Sequence, residues 1–479
     1  MRPPLRRRSA SHLPSACRAW PLLLLLAACV RYVPRPVDPA AHPAEYRARR
    51  LDDARLLEWV GRWAARPEPG RWTDRQLALA ALAFRADVAR ARADWRTALA
   101  GQAGAGVRPA PGVEAGVERA VSGSEGQSPW VVSLAGLVAV ELGGKRGARL
   151  QRARARTAVA EGELRQSAWR VVWDVRAAAL ALASAAADRA QAERELKALV
   201  EVQGLEQARY REGSLPSAEL ARTGAEVQAA RAQVVGAEAG VQLARAALAG
   251  AVAVPARALD TVEVSPVPGP GCDTLGALEE DSLGALALTR RPEIGRALAE
   301  YAVAEADLRL QVARQLPDLE LGPGFIWDQG VHRWTLALAL PNLLGFRNRA
   351  AIHEAEAARS AAAARVAEVQ DELLADIAVA LRRCQGALLQ RAAADSQVAV
   401  SGEAAALARA AYDRGETSRL EPALAELAVA RAERGRAAVE AQLRSAGEAL
   451  STSAGGWRGE PDEPWPDPRV DQLTEGATR

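Results

Sequence analysis

Three residue types in this 479-residue chain could serve in lipid attachment, catalysis, metal binding or ion attraction, namely cysteine, histidine and glutamate. The first candidate is Cys29, which ends the apolar run PLLLLLAAC near the N-terminus. The order Leu-Ala-Ala-Cys resembles a lipobox, in which a signal peptidase cuts before the cysteine and the thiol is then acylated. An ordinary export signal with a chance cysteine is the alternative. We predict a signal peptide at residues 1–28 and a covalent lipid on Cys29.

The histidines and the remaining cysteines form no catalytic pattern. The four histidines lack the spacing of metal ligands or of a nucleophile and its base, and no Walker loop or GxGxxG motif follows a predicted strand. We predict no catalytic residue, no metal site and no cofactor, so the chain is not expected to be an enzyme. Cys17 lies in the signal, and Cys272 and Cys384 are expected to be lone thiols rather than a disulfide.

Two glutamates occupy matching places in a segment that occurs twice. ARYREGSLPSAELARTGAE (208–226) is echoed by AAYDRGETSRLEPALAELA (410–428), so that Gly213 and Gly415 lie about 200 residues apart. Glu219 and Glu421 follow these glycines at the same interval. The period is too long for a solenoid, so the chain is a tandem duplication in which each half carries a complete structural unit.

Long helices must position these repeated segments. Alanine supplies most of the 49% apolar content and only 4% of residues are aromatic, which favours closely packed helices. Periodicity and Gly/Pro positions predict helices at about 74–100, 145–209, 217–254, 280–315, 346–411 and 419–453. A helix of about 65 residues extends roughly 95 Å and must pack on other helices. Gly213 and Gly415 then mark the tips of two helical hairpins.

Period-two alternation predicts four strands, two between 111 and 141 and two between 317 and 341. Strands of about 9 to 11 residues suit a tilted crossing of a membrane, although a soluble β-sandwich has the same period. Four strands cannot close a barrel, so a membrane interpretation needs several chains. The predicted lipid-facing residues are Trp327, Trp334, Leu336 and Leu338.

The charge pattern argues against nucleic acid as a partner. The formal net charge is only +3, and acidic and basic residues alternate along the predicted helices without forming one basic face. Four prolines within residues 30–50 predict an extended tether after the signal. The segment 456–479 is rich in proline and acidic residues, which predicts a disordered or equatorial tail.

Over nearly all of residues 70–455 the chain resembles the TolC family of outer-membrane efflux proteins. RRPEIGRALAEYAVAEADLRLQVARQLPDLELGPGF (290–325) is similar to the family's RP-x-I and PDL-x-LG segments, and the two Tyr-x-x-Gly tips also match. LALALPNLLGFRNRA resembles its strand-to-helix junction, and specifically that of the heavy-metal RND branch. Two positions depart from the family pattern: Arg85-Ala86 stands where Asn-Pro is usual, and Pro422 where an aliphatic residue is usual.

The resemblance implies a fold that is mainly α with a small β part. In a TolC-like homotrimer, each chain gives four strands to one 12-stranded transmembrane β-barrel and long helices to one periplasmic α-barrel. The implied function is that of the passive outer-membrane channel in a tripartite efflux system. Its partners would be a periplasmic membrane-fusion adaptor, an inner-membrane pump of RND or ABC type, and outer-membrane lipid. The alternative is a periplasmic or secreted coiled-coil scaffold lipoprotein without a channel.

The resemblance also suggests roles for the two tips. The predicted adaptor-contacting residues are Gly213, Leu215, Pro216, Ser217, Gly415, Thr417 and Ser418. In a trimer Glu219 and Glu421 would form an acidic ring at the channel entrance, which would attract cations. Both would equally suit the first turn of the following helix, where a negative charge is favoured. Whether the substrate is a metal ion, a drug or a protein does not follow from these residues.

These elements divide the chain into consecutive segments. They are the signal peptide (1–28), the lipid-anchored tether with an N-terminal helix (29–70), the first outer-membrane-efflux repeat (71–255), a linker (256–278), the second repeat (279–455) and the tail (456–479). The two repeats are expected to share one fold because they share their order of helices and strands.

Overall fold

The computed structural model describes residues 32–119, 121, 128–267, 269–328, 330–340, 348–456 and 465–469. The chain forms two compact units, Met1–Ala48 and Arg49–Arg479. In the first unit the described residues begin with irregular backbone at Tyr32 and continue into helix α1 (Ala41–Ala48). The predicted signal peptide, Cys29 and the junction segment 341–347 lie outside the described residues.

Helices dominate the second unit. In chain order they are α2 (Ala54–Val60), α3 (Asp74–Phe84), α4 (Ala86–Ala105), α5 (Lys145–Arg211), α6 (Ser217–Val252), α7 (Cys272–Leu275), α8 (Glu280–Arg290), α9 (Pro292–Ala313), α10 (Arg349–Asp413) and α11 (Leu420–Ser453). α5 has 67 residues and α10 has 65, so each extends roughly 100 Å. The predicted long helices are therefore confirmed, with ends that differ by no more than a few residues.

The order of elements repeats along the chain, which confirms the predicted tandem duplication. Each half has two shorter helices, then a pair of strands, a long helix and a returning helix. The hairpins turn at Gly213 and Gly415, whose φ angles are +75° and +77°. A residue with a Cβ atom is strained in this backbone conformation, so both turns favour glycine.

Each half starts with two helices where the sequence predicts one. The helices are interrupted at Arg85 and at Arg291, where ψ is 125° and 127°. Pro292 accounts for the second break, because a proline disfavours helical backbone in the residue before it. The first break lacks a proline, but Arg85 pairs with Asp87 at 2.6 Å just as Arg291 pairs with Glu293 at 3.0 Å. The same ion pair thus spans the same corner in both halves.

The long helices lie side by side in one layer. α5 contacts α4 and α6 of its own half and also α9 and α11 of the other half. α10 contacts α9 and α11. Across the layer, α4 and α6 therefore lie on one side of α5. α9 and α11 lie on its other side, and α10 lies beyond them. One edge of the layer is formed by α4 with α6, and the other by α10.

The described residues form two sheets. Their strands are β1 (Arg71–Thr73), β2 (Gly112–Arg119), β3 (Trp130–Val140), β4 (Glu263–Ser265), β5 (Leu319–Asp328) and β6 (Val331–Ala339). β1 and β4 make a short parallel pair, and the larger sheet is antiparallel with the order β2-β3-β5-β6. The larger sheet confirms the predicted strands. The sequence does not reveal β1 and β4, because three residues carry too little alternation to recognise.

The largest apolar core lies beside the middle of α5. Its enclosed members from α2, α3, α5 and α6 include Leu56, Val60, Leu77, Leu79, Val175 and Leu248. Trp465, which follows α11, packs against the same core, and the guanidinium of Arg75 lies 4.4 Å from its ring centroid. This part of the predicted tail is therefore packed on the helices, while 457–464 and 470–479 lie outside the described residues.

A buried ion network joins the two halves. Arg176 of α5 lies 2.9 Å from Glu448 of α11 and 3.6 Å from Asp74 of α3. Asp74 also accepts a hydrogen bond of 2.9 Å from the backbone N–H of Val267. The side chains of Arg176 and Asp74 are almost fully enclosed, so removal of Arg176 would take the cation away from two carboxylates, those of Asp74 and Glu448. The network therefore ties α3, both hairpins and the linker together.

Cys272 and Cys384 form a disulfide, and the prediction of two lone thiols is wrong. The two cysteines are 112 residues apart in sequence and no CxxC spacing marks them. In the fold α7 packs on α10, which brings the Cα atoms to 5.2 Å, and both side chains are fully buried. Local spacing cannot reveal such a pair, because only the tertiary contact places the two thiols together.

Candidate functional site

One face of the four-stranded sheet is apolar and exposed. The register places apolar side chains of neighbouring strands opposite one another, as with Phe325 and Trp334, whose ring centroids are 5.2 Å apart. Trp334, Leu336 and Leu338 are 84%, 73% and 63% exposed, and Trp327 is half-buried. The strands thus place apolar and small or polar side chains on alternate faces of the sheet, as predicted from the sequence. An apolar surface of this extent requires cover by lipid or by another chain.

The opposite face carries mainly small and acidic side chains. Its members include Gly112, Glu114, Gly116, Glu118, Ser133, Ala135, Ala139, Glu320, Gly322, Gly324, Thr335, Ala337 and Ala339. Val131, Leu137, Ile326 and Val331 are its bulkier apolar members. A face with this composition suits the wall of a water-filled passage.

Both the sheet and the helical layer end in open edges. β2 and β6 stand at the two ends of the sheet, and among the described residues each pairs with a single strand. An unpaired strand edge cannot remain in the hydrocarbon of a membrane, because its backbone N–H and C=O groups would lack partners. The helical edges expose apolar side chains, among them Val235 and Leu243 on α6 and Leu389, Val400 and Leu407 on α10. Another chain would complete both layers.

The two hairpin tips expose most of the predicted contact residues. These are Gly213, Pro216 and Ser217 at the first tip and Gly415, Thr417 and Ser418 at the second. Leu215 differs from the prediction, because only 8% of its surface is exposed. Its side chain is turned into the protein and is unavailable to a partner. Its counterpart in the second repeat, Thr417, is polar and remains exposed.

Glu219 and Glu421 lie in the first turns of α6 and α11, close to the tip glycines. Both are exposed, and within the described part of the chain neither forms a salt bridge. Their position at a helix start is favourable because the helix dipole attracts negative charge there. One chain alone places a single such carboxylate at each tip, so a ring requires further copies.

Two ion pairs lie at or near the hairpin tips. Arg414 donates to Glu416 at 2.6 and 2.9 Å, and this hydrogen bond lowers the pKa of the Glu416 carboxyl. Arg419 donates to Glu201 at 2.7 Å, which links α11 to α5 near the tips. Glu201 and Arg419 are far apart in sequence, so only the packing of the two hairpins shows that they meet.

A buried carboxylate lies close to the first tip. Glu206 is 4% exposed and follows Leu199 and Val202 on the face of α5 that packs against α6 and α11. Among the described residues its Oε2 atom has no hydrogen-bond partner. A polar atom buried without a hydrogen bond is generally unfavourable.

The described ranges of the chain hold neither a metal-binding cluster nor a membrane-spanning helix. No group of three or more His, Cys, Asp or Glu side chains there could hold a metal ion. No helix of those ranges combines the length and apolar character needed to cross a membrane.

Known proteins match this chain in sequence and in structure. The family model described as outer membrane efflux protein matches residues 77–254 and 283–456, one segment in each half. No curated protein sequence matches at a significant level. The outer membrane protein VceC from Vibrio cholerae is 20% identical, with a TM-score of 0.64 over 80% of this chain and 96% of that chain.

Two further solved structures show the same fold. A membrane protein from Pseudomonas aeruginosa is 22% identical, with a TM-score of 0.64 over 89% of this chain and 97% of that chain. The CmeC outer membrane channel of Campylobacter jejuni is 15% identical, with a TM-score of 0.60 over 95% of this chain and 94% of that chain. These matches confirm the predicted TolC-like fold. Since the family model covers well over half of the chain and both of its halves, the chain belongs to the outer membrane efflux protein family.

Proposed function

We propose that this protein is the outer-membrane channel of a tripartite efflux system, built from three copies of the chain. The observation that carries the proposal is the two-faced sheet with open edges, apolar on one side and small or acidic on the other. Lipid would cover the apolar face, including Trp327, Trp334, Leu336 and Leu338. The opposite face would line a water-filled lumen.

Three copies would complete both layers. Bacterial barrels have an even number of strands and need at least about eight, so one chain is too few and three chains supply twelve. β6 of one chain would pair with β2 of the next. The exposed apolar side chains on α10 would likewise pack against those on α6 of the neighbouring chain, which closes the helices into an α-barrel.

The partners would be a periplasmic adaptor and an inner-membrane pump of RND or ABC type. The tips would dock the adaptor through the exposed residues Gly213, Pro216, Ser217, Gly415, Thr417 and Ser418. Small and polar groups allow the close backbone approach that helix-to-helix contact requires. The sequence contains no Walker motif, so conduction would be passive and the pump would supply the energy.

Lipid anchoring would retain the protein in the outer membrane, with its helices in the periplasm. We expect Cys29 to be the mature N-terminus and to carry acyl chains, since two or more chains bind membranes far more durably than one. Mass spectrometry of the N-terminal peptide measures this directly. An unmodified peptide that starts elsewhere would exclude the lipoprotein.

Planar-bilayer recording of the purified protein tests the channel. Discrete conductance steps and a trimer mass in mild detergent are expected. A coiled-coil scaffold lipoprotein would give no conductance. A monomer that does not conduct would rule out the channel.

The entrance carboxylates should affect ion selectivity. Changing Glu219→Gln together with Glu421→Gln is expected to reduce preference for cations, because six carboxylates around one opening attract them. The reversal potential of single channels in a salt gradient measures this preference. Glu58→Gln with Glu263→Gln removes the same charge from α2 and β4 and is the matched control. If selectivity is unchanged in the entrance variant, Glu219 and Glu421 do not set ion selectivity, and their negative charge serves only the start of the following helix.

A further inference from the structure

We infer that the joints between helices and strands bind the phosphate headgroups of anionic phospholipids, in the leaflet that faces the helices. The four joints are the connections α4–β2, β3–α5, α9–β5 and β6–α10. Each has one exposed arginine in it or directly beside it, in chain order Arg108, Arg146, Arg314 and Arg349. The inference rests on the proposed trimeric channel, because only a sheet inserted in a membrane brings its ends beside lipid headgroups.

The joints lie where the apolar face of the sheet ends. Arg108 precedes β2 by four residues, and Arg314 precedes β5 by five. Arg146 and Arg349 follow β3 and β6. The headgroup region of a bilayer is about 5 to 7 Å thick on each side, and a long arginine side chain can extend its guanidinium into it. Lipid that covers the apolar face would therefore bring its headgroups to the four arginines.

The two halves of the chain place these arginines alike. Arg108 and Arg314 each precede a proline by three residues at the entry to a strand. Arg146 and Arg349 each lie in the first turn of the helix that leaves the sheet. The helix dipole disfavours a positive charge in a first turn, so helix stability does not explain these two. Three chains would arrange all of these arginines around the barrel as one basic band.

The acidic side chains at the joints are already neutralised. The ion pairs there are Glu141 with Arg149 and Asp318 with Lys145. Among the described residues, none of the four joint arginines has an acidic partner. Arg146 donates to the backbone carbonyl of Gly106 at 2.6 Å, and Arg314 donates to the side chain of Gln311 at 3.3 Å. Each chain thus brings four uncompensated cations to one end of the sheet.

The other end of the sheet lacks this excess. Arg333 is paired there with Asp328 at 3.0 Å. The guanidinium of Arg119 lies 5.7 Å from the indole centroid of Trp130, and Glu118 precedes it on the same strand. In the described part of that end, acids therefore match cations in number. The excess of cations is found where the strands meet the helices, so a single leaflet would be recognised.

Phosphate is the group that fits such a band. A guanidinium binds phosphate oxygens through paired N–H donors, and these hydrogen bonds are strengthened by charge. A phospholipid supplies the phosphate together with acyl chains, which would cover the exposed side chains near the joints, such as Val113 and Leu338. Anionic headgroups would be preferred, because the choline of a zwitterionic lipid neutralises its own phosphate. Such attraction amounts to about fivefold for each cation near the surface.

The test measures which lipids the full-length trimer retains. The protein is reconstituted with equal amounts of phosphatidylglycerol and phosphatidylcholine, extracted in mild detergent, washed on a resin and analysed for lipid by mass spectrometry. Wild type is expected to retain at least about fivefold more phosphatidylglycerol. This excess should shrink after a wash in 1 M KCl, where the Debye length is about 3 Å. Equal retention of the two lipids by wild type would overturn the inference.

Variants locate the effect. The fourfold change Arg108→Gln, Arg146→Gln, Arg314→Gln and Arg349→Gln should bring the lipid ratio close to one. The matched control changes four exposed arginines of the long helices away from the sheet, Arg211→Gln, Arg222→Gln, Arg383→Gln and Arg444→Gln, and should keep the wild-type ratio. Equal losses in the two variants would contradict a site at the joints. If the fourfold variant yields little trimer, Arg108→Gln with Arg314→Gln must still lower the ratio, and an unchanged ratio would contradict the inference.

The outcomes separate this inference from the proposed function. A wild-type trimer that conducts but retains both lipids equally would remove the basic band as a lipid site and leave the channel standing. A wild-type monomer that does not conduct would overturn the channel, and the lipid site with it.

Discussion

Replacing Leu336 with arginine is expected to remove most of the assembled trimer from the outer membrane. Leu336 is 73% exposed on the apolar face of β6 and would contact lipid in the assembly. A charge on the lipid face of a barrel at the membrane midplane costs about 2 to 4 kcal/mol. Every trimer would carry this cost three times. The measurement is the amount of trimer extracted from outer-membrane fractions, relative to wild type.

Thr335→Arg provides the matched control, because it adds the same side chain one residue earlier on the same strand. Thr335 lies opposite Gly324 on the small and acidic face, where arginine would remain in water. Trimer yield should therefore stay close to that of wild type. Equal losses in the two variants would contradict the assignment of the two faces, and a wild-type level of Leu336→Arg trimer would contradict lipid contact.

Removing the disulfide is expected to lower the free energy of unfolding by about 2 to 5 kcal/mol. The bond joins Cys272 of α7 to Cys384 of α10 across 112 residues, so it restricts the unfolded chain strongly. An exported protein folds where such bonds persist. Guanidinium unfolding followed by circular dichroism compares the wild type with the variants Cys272→Ala, Cys384→Ala and the double change.

The pattern among the three variants distinguishes a disulfide from two buried thiols. Either single change breaks the bond, so the double change should cost little more than either one alone. Two independent thiols would give smaller effects that add. A further check is reduction of the wild type under denaturing conditions, which should bring its unfolding midpoint close to that of the variants. Additive effects would show that the bond does not form in the mature protein.

Local patterns were sufficient for the elements that lie next to one another along the chain. The long helices follow from alanine-rich stretches between glycine and proline positions, and Gly213 and Gly415 identify the hairpin turns through their need for positive φ. The alternation in β6 likewise shows that Trp334 and Leu336 share one face. These properties depend on backbone conformation within a few residues, so one-dimensional spacing contains them.

Local patterns failed where a residue's environment depends on distant chain. Arg85 ends a helix although no proline follows it. Its backbone is extended, as is that of Arg291 at the equivalent position of the other half. Leu215 belongs to an exposed tip, yet its side chain is turned into the protein. Hydropathy and turn spacing do not describe Leu215, because its burial is set by which side chains the fold brings alongside.

The sequence by itself determined the duplication, the length of the helices, the two faces of the strands and the likeness to outer membrane efflux proteins. Only the tertiary structure decided that Cys272 meets Cys384 and that Arg176 joins Asp74 to Glu448 inside the protein. The physical reason is the range of the interactions. Helix and strand periodicity arises from neighbouring residues, whereas a disulfide or a buried ion pair exists only after segments more than 100 residues apart have packed against one another.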